Sequence, residues 1–184
     1  LILSLVPLFI ILPFKGYYDE LVAQSNLIFL GGCFLLTSIL LYISDRCVKG
    51  KKDEKSMKAR DALIIGTAQG IAVLPGVSRS GSTVAASLIC GLSKKFAVQF
   101  SFILGIPAIL GAGLVEIKDA IEMQASIEWL PVLIGFIVSA ITGLFAIKMV
   151  NWLIKSEKFR IFAYYTMILG VVVIGLGIYT LITG

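Results

Sequence analysis

The chain contains 184 residues, of which 58% are hydrophobic and only 15% are charged. A water-soluble domain of this length needs more polar surface than this composition supplies, so a soluble globular protein is excluded. The formal charge is +5, but seven of the sixteen basic residues fall between Arg46 and Arg60, in one loop between apolar segments. Such a loop indicates the orientation of membrane helices, and we expect no nucleic-acid partner. We predict an all-α polytopic membrane protein.

Two residue types limit the chemistry. The sequence contains no histidine, the commonest general base and the commonest transition-metal ligand. The three cysteines, Cys33, Cys47 and Cys90, are odd in number and lack the spacing of a metal site, so we interpret them as packing residues.

Five apolar runs approach or exceed the roughly 20 residues that cross a bilayer. In chain order they are Leu1–Phe14, Leu27–Ile43, Phe96–Val115, Trp129–Val150 and Ile161–Ile182. The first run begins without an initiating Met or a charged leader, and we interpret it as part of a span in a longer protein. Gly105 and Pro107 break the third run, and we expect a kink there, with Gly111 and Gly113 as small packing residues.

Residues 61–93 form an irregular segment between the second and third runs. The motif LPGVSRSGST at 74–83 divides it into apolar pieces, about Ala62–Leu74 and Thr83–Leu92, that are each too short to span. A single crossing would put the acidic loop 116–128 on the same side as the basic loop 45–60, against the positive-inside rule. We therefore predict a re-entrant helical hairpin over 61–93, with its tip in a cavity inside the protein.

The tip of this hairpin has the features of a phosphate site. Gly76 and Gly81 allow positive φ angles and a close approach of ligand to backbone. We expect the second helix to begin near Ser82 or Thr83, with its free N–H groups and positive dipole end facing the cavity. Arg79 adds a planar, charged fork that matches phosphate oxygens. An oxyanion such as phosphate or diphosphate is the expected ligand, with hydroxyl groups from Ser78, Ser80, Ser82 and Thr83.

Some of these residues have structural alternatives. Ser82 or Thr83, taken alone, is more often a helix N-cap than a ligand. Gln69 is either a buried amide satisfied by the backbone or a further ligand contact. Arg79 is the strongest functional candidate, because an arginine at membrane depth is costly unless it has a role.

The run from Asp61 to Gly113, with its PGVSRSGST core and the following FSFILGIPAILGAG, resembles the second signature region of the bacterial undecaprenyl-diphosphate phosphatase family of bacitracin-resistance type. The resemblance implies an inverted-repeat bundle in which two re-entrant hairpins meet near the membrane midplane. Residues 1–60 then hold the last two spans of the first repeat and a cytoplasmic basic loop. Residues 61–184 hold the second repeat, which consists of hairpin 61–93 and three transmembrane helices. The family's EGxTEF-type and SSxGH-type motifs fall outside the chain.

The function implied by the resemblance is hydrolysis of undecaprenyl diphosphate to undecaprenyl phosphate and phosphate in the bacterial plasma membrane, which recycles the lipid carrier of peptidoglycan synthesis. Arg79 and Ser78 are the candidate catalytic residues. The candidate phosphate-binding residues are Gly76, Ser78, Arg79, Ser80, Gly81, Ser82, Thr83 and Gln69. The expected partners are the polyprenyl diphosphate and membrane lipids, and a homodimer is left open.

Two further expectations concern what this chain lacks. The Mg²⁺ or Ca²⁺ that the family uses has no assignable ligand here. Because the family's acidic residues and histidine belong to the hairpin and first span of the first repeat, we expect this chain alone to be inactive.

Other functions compete with this reading. An anion or lipid transporter also uses re-entrant helix pairs around a substrate. A membrane phosphatase of the phosphatidic-acid type has an SR-containing motif as well, but it places histidines in its motifs, and this sequence has none.

Overall fold

The computed structural model describes residues 1–11, 14, 20, 26–46, 50–123, 128–155 and 159–183, without the side chains of 151–155 and 159. The regular elements in these ranges are α1 (Ile2–Ile11), α2 (Leu27–Arg46), α3 (Ala59–Ile71), α4 (Arg79–Ile89), α5 (Lys94–Glu122), α6 (Trp129–Lys155) and α7 (Phe159–Thr183). The prediction of an all-α protein is therefore confirmed. Cys47, interpreted above as a packing residue, lies outside the described residues.

Among the described residues, four helices are long and apolar enough to cross a membrane. Their apolar stretches are Leu27–Arg46, Lys94–Glu122, Trp129–Val150 and Arg160–Thr183, and the shorter apolar α1 lies in the first predicted run. The chain is thus a multi-pass membrane protein. The third run forms one continuous 29-residue helix, α5, which passes through Pro107, and the kink there stays a prediction. A proline removes one backbone hydrogen bond, and the flanking turns of this long helix keep theirs.

Segment 61–93 folds as two short helices that pack against each other. The 13-residue α3 and the 11-residue α4 are joined by the loop 72–78. At 1.5 Å per residue they are about 20 Å and about 17 Å long, shorter than the roughly 30 Å hydrocarbon core. The prediction of two short helical pieces is confirmed, although both begin and end three or four residues earlier than expected.

Lys52 holds the two ends of this hairpin together. Its N–H donates to Gly91 O at 3.1 Å and its carbonyl accepts from Ser93 N at 2.9 Å, just after α4. Its Nζ lies 3.1 and 2.9 Å from the two carboxylate oxygens of Asp61, in the first turn of α3. Because one residue contacts both ends, the start and the end of segment 61–93 lie next to each other.

Asp61 is buried, and its carboxylate is well supplied with donors. Burial acts to raise the pKa of Asp61, but the hydrogen bonds from Lys52 Nζ and the Lys58 N–H, with the charges of both lysines, outweigh it and hold the pKa below the usual range. Asp61 therefore stays ionised and keeps its ion pair with Lys52.

Small residues bring other helices into close contact. A Cβ added to Gly31 of α2 would lie 2.8 Å from Gly170 O of α7. The Ser38 hydroxyl of α2 donates to Ala163 O of α7 at 2.7 Å, and both residues are buried. The absence of side chains lets the backbones approach, as is common between membrane helices.

Internal packing divides the chain into two units, Leu1–Ile106 with Phe159–Gly184, and Pro107–Lys158. The first unit contains α1 to α4, the first part of α5 and α7. The second contains the rest of α5 and α6. All residues assigned to the phosphate site lie in the first unit. The division into repeats at residue 60, and the depth of the hairpin in a membrane, stay predictions.

Candidate functional site

The loop 72–78 packs tightly against α2. Gly76 has φ +86°, a left-handed conformation that side chains rarely adopt. A Cβ at Gly76 would lie 2.9 Å from Leu30 Cδ1 and 3.0 Å from both Cys33 Cβ and Leu30 O. Both the backbone conformation and the lack of space require glycine here, as predicted for this position.

Ser78 caps the N-terminus of α4. It has extended φ and ψ angles of −69° and 114°, and its Oγ accepts the Gly81 N–H at 3.1 Å. The Ser78 carbonyl accepts the Ser82 N–H at 2.8 Å, the first hydrogen bond of the helix. The expected helix start near Ser82 or Thr83 is therefore wrong, because Ser78 competes successfully for the cap and adds a turn to the helix.

Gly81 also differs from its prediction. It lies inside α4 and is not among the glycines with positive φ. A Cβ at Gly81 would lie 2.9 Å from Ser78 Oγ. Glycine at this position leaves room for the capping side chain, so it acts on the helix start through Ser78.

The first turn of α4 presents free donors. In the part of the chain that the structure describes, no acceptor pairs with the N–H groups of Arg79 and Ser80. With the positive end of the helix dipole, these donors favour a negatively charged ligand. Ser80 is exposed, and its hydroxyl adds to the donors on this turn.

The Arg79 guanidinium lies against α5. A Cβ built on Gly105 would be 2.8 Å from Arg79 Nη1 and 3.2 Å from Nη2. No carboxylate pairs with Arg79 among the described residues. The half-buried positive charge is therefore available to an anion. Sequence reasoning gave Gly105 a role in a kink, and only its place beneath Arg79 reveals this second role.

Thr83 faces the protein interior. Its Oγ1 donates to Arg79 O at 3.0 Å or Ser80 O at 3.2 Å, and it lies 2.5 Å from Ser101 Oγ of α5. The structure thus shows the Thr83 hydroxyl joining α4 to α5, and a phosphate contact stays a prediction.

Gln69 and Ser82 are buried without hydrogen bonds. Gln69 is 1% exposed and Ser82 is 2% exposed. Neither amide atom of Gln69 nor the Ser82 Oγ has a partner among the described residues. The alternative of a Gln69 amide satisfied by the backbone is therefore wrong. Gln69 lies two residues before the end of α3, and Ser82 three residues after the start of α4, so both are within a turn of the tip.

The described residues do not form a divalent cation site by themselves. They contain no group of three His, Cys, Asp or Glu side chains that converge. The hairpin tip offers hydroxyls, N–H donors and an arginine, whereas Mg²⁺ and Ca²⁺ prefer carboxylate and carbonyl oxygens. The donor set fits an anion and does not fit a cation.

The chain is similar to proteins of one family. The sequence family described as bacitracin resistance protein BacA matches residues 1–172. A Halothermothrix orenii protein named undecaprenyl-diphosphatase is 40% identical over 176 residues, which cover 95% of this chain and 67% of that protein. A Methanosphaera stadtmanae protein of the same name is 45% identical over 151 residues, which cover 82% of this chain and 54% of that protein.

The lengths of the relatives differ. The chain spans about half to two thirds of the length of these two proteins. A Methanothermobacter thermautotrophicus protein, also named undecaprenyl-diphosphatase, is 40% identical over 164 residues, which cover 88% of this chain and 89% of that protein.

Proposed function

We propose that this chain, which belongs to the BacA family of bacitracin resistance proteins, binds the diphosphate of undecaprenyl diphosphate at its hairpin tip and takes part in its hydrolysis. The observation that carries the proposal is the first turn of α4, where two unpaired N–H groups stand beside an arginine without a carboxylate partner. Phosphate groups are recognised by this combination of helix N-terminus and planar guanidinium.

The reaction adds water to the terminal phosphorus, breaks its bond to the bridging oxygen and releases phosphate and undecaprenyl phosphate. Arg79 binds the diphosphate oxygens and stabilises the charge that grows on the transferred group. The Arg79 and Ser80 N–H groups orient the same oxygens. Gly105 leaves the space in which the guanidinium lies.

Ser78 is a weak candidate for the nucleophile. Its Oγ already accepts the Gly81 N–H, and no described histidine or carboxylate hydrogen-bonds to it to take its proton. We therefore assign Ser78 to capping and phosphate contact. We assign the base or nucleophile to a residue outside the loop 72–78.

Gln69 and Ser82 complete the proposed phosphate site. A buried polar group without a partner costs about 1–3 kcal/mol, so a state in which both are hydrogen-bonded is favoured. We assign both side chains to contacts with the bound diphosphate or its ordered water, after a small rearrangement at the tip. We assign the Thr83 hydroxyl to the same state as a secondary phosphate contact.

The cellular setting is part of the proposal. We assign the prenyl tail to the space between spans in the plasma membrane of a bacterial cell, and the product to peptidoglycan synthesis. A Mg²⁺ or Ca²⁺ requirement follows from the family resemblance, and its ligands lie outside the hairpin tip. A homodimer is compatible with the proposal.

The names of the relatives favour a hydrolase over an anion or lipid transporter.

The test measures binding and hydrolysis in detergent. We expect the purified chain to bind farnesyl diphosphate and Arg79→Ala to weaken binding at least tenfold, or by about 1.4 kcal/mol. Arg60→Ala is the matched control, since Arg60 is exposed at the other end of the hairpin. Equal effects of the two substitutions would contradict the site.

Hydrolysis is assayed separately as phosphate release. We expect none from the chain alone, and release after co-expression with the third of the Halothermothrix orenii relative that lies outside the match. Release by the chain alone would place the nucleophile or base within these 184 residues. Uptake of the lipid or an anion into sealed vesicles without phosphate release would favour the transporter.

A further inference from the structure

Thr37 of α2 hydrogen-bonds the loop 72–78. Its Oγ1 accepts the backbone N–H of Ser78 at 3.1 Å. The same oxygen lies 3.4 Å from Gly76 O and 3.1 Å from Cys33 O, so its single proton is donated to one of these carbonyls at a time. One side chain thereby contacts two residues of the loop, 39 and 41 positions away.

These hydrogen bonds are made in a buried setting. Thr37 is 1% exposed. Without its hydroxyl, the Ser78 N–H has no acceptor among the described residues, and a buried donor left unpaired is costly. The loop therefore depends on this one side chain for the N–H of the residue that caps α4.

Thr37 belongs to a continuous stripe along α2 that faces the loop. Leu30 lies two turns and Cys33 one turn before it, and both contact Gly76, where an added Cβ would meet them. Leu41 lies one turn after it, and its Cδ2 is 3.7 Å from a Cβ built on Gly81. The spacing of three and four residues places all four side chains on one helical face. Thr37 is the one residue of this stripe that hydrogen-bonds the loop.

We propose that Thr37 is a positioning residue that fixes the cap of α4 and so aims the Arg79 side chain and the free N–H groups at the diphosphate. The inference rests on the proposed function for its ligand. The Ser78 N–H donates to Thr37 Oγ1, and the Ser78 Oγ accepts the Gly81 N–H. These two hydrogen bonds fix the backbone conformation of Ser78 before the ligand binds. A pre-formed donor set binds an oxyanion without ordering the loop at that moment.

The helix that carries Thr37 lies in the part of the chain that sequence analysis assigns to the first repeat. The loop it holds lies in the part assigned to the second. Thr37 therefore joins the two predicted repeats at the binding site, and it acts through Ser78, since its own hydroxyl is used by the loop backbone.

The test compares three variants in the full chain. Thr37→Val keeps the shape of the side chain and removes the hydroxyl. Thr37→Ser retains the hydroxyl and removes only the methyl group. Ser38→Ala is the matched control, because the neighbouring Ser38 also makes one buried interhelical hydrogen bond, to Ala163 O at 2.7 Å, but it does not contact the loop. Thermal unfolding, hydrogen–deuterium exchange of peptides covering 72–82, and the Kd for farnesyl diphosphate are measured for each.

Thr37→Val is expected to speed exchange of the Ser78 amide by about fivefold or more and to weaken farnesyl diphosphate binding by about tenfold. Thr37→Ser is expected to stay within about twofold of the wild type. Ser38→Ala is expected to lower the Tm as much as Thr37→Val while leaving both loop exchange and Kd unchanged.

The outcomes separate the two proposals. Unchanged exchange and unchanged Kd in Thr37→Val would overturn the positioning role. Equal losses of farnesyl diphosphate affinity in Thr37→Val and Ser38→Ala would reduce Thr37 to a general stabilising residue and also overturn the positioning role. A wild-type chain that does not bind farnesyl diphosphate would refute the proposed function, while the exchange data would still decide whether Thr37 holds the loop.

Discussion

Gly105→Ala tests whether the position of the Arg79 guanidinium matters. The added Cβ would lie 2.8 Å from Nη1 and 3.2 Å from Nη2, and ordinary contact begins at 3.4 Å. The guanidinium must therefore retreat by at least ~0.6 Å, a shift that the flexible arginine side chain accepts without disturbing the helix backbone. A binding constellation has to be held within about 0.5 Å of its productive geometry.

The expected result is a loss of function without a loss of folding. A displacement on the order of 1 Å costs up to about 100-fold in rate, so we expect kcat/KM for phosphate release to fall by about 10- to 100-fold. Phosphate release is measured on the wild-type preparation that is active, either the chain alone or the chain co-expressed with the remaining third of the Halothermothrix orenii relative. The thermal unfolding midpoint is expected to change little, because alanine is favoured over glycine in a helix by about 1 kcal/mol.

Gly111→Ala is the control for this experiment. Gly111 lies on the same helix, and a Cβ there meets nothing within 4 Å in this chain. We expect its activity to match the wild type. Full activity of Gly105→Ala, or equal losses in both variants, would refute the contact between Arg79 and Gly105 as a determinant of the site.

Three further predictions address other parts of the molecule. Arg79→Lys keeps the charge but not the planar fork, and we expect phosphate release to fall by about 10²- to 10³-fold while membrane insertion is unchanged; wild-type turnover would contradict the guanidinium's role. Lys52→Ala leaves the buried Asp61 carboxylate without its ion-pair partner, and we expect a loss of about 1–3 kcal/mol in unfolding free energy. Because the folded pKa of Asp61 is depressed, the contribution of this ion pair to stability is present above the unfolded pKa of about 3.9 and is lost as pH falls through the folded pKa. A Tm difference between wild type and Lys52→Ala that persists far below pH 3 would argue against this pair. In a cysteine-free background, cysteines placed at Ser56 and Glu122 are expected to react with impermeant thiol reagents from opposite sides of the membrane, and labelling from one side would refute the re-entrant hairpin.

The hairpin was predictable because its signals are local. Pro75 and Gly76 interrupt the apolar run, a cluster of hydroxyl residues starts a second helix, and each piece is too short to span. The start of the second helix was not predictable from the same signals. Ser78, Ser80, Ser82 and Thr83 are all competent N-caps, and the choice falls on Ser78 because Thr37 accepts its N–H and the loop packs on α2.

The roles of Thr37, Gly105 and Lys52 also had no sequence signal. Thr37 is a hydroxyl residue in an apolar span, which is typical of a side chain bonded to its own helix. Gly105 precedes Pro107, which suggests a kink. Lys52 is one of seven basic residues in a single loop. Each is distinguished from its neighbours only by the atom it contacts in a distant segment.

The sequence by itself determined the all-α membrane class and the short hairpin, and it predicts anion-binding chemistry at the hairpin tip. These features depend on hydrophobic length, glycine and proline positions and charge, and each is read over a window of a few tens of residues. Tertiary structure alone decided which hydroxyl caps α4, where the Arg79 side chain lies and what holds the loop. Those contacts join residues 26 to 41 positions apart on separate helices, so they are fixed by how the helices pack and not by any local pattern.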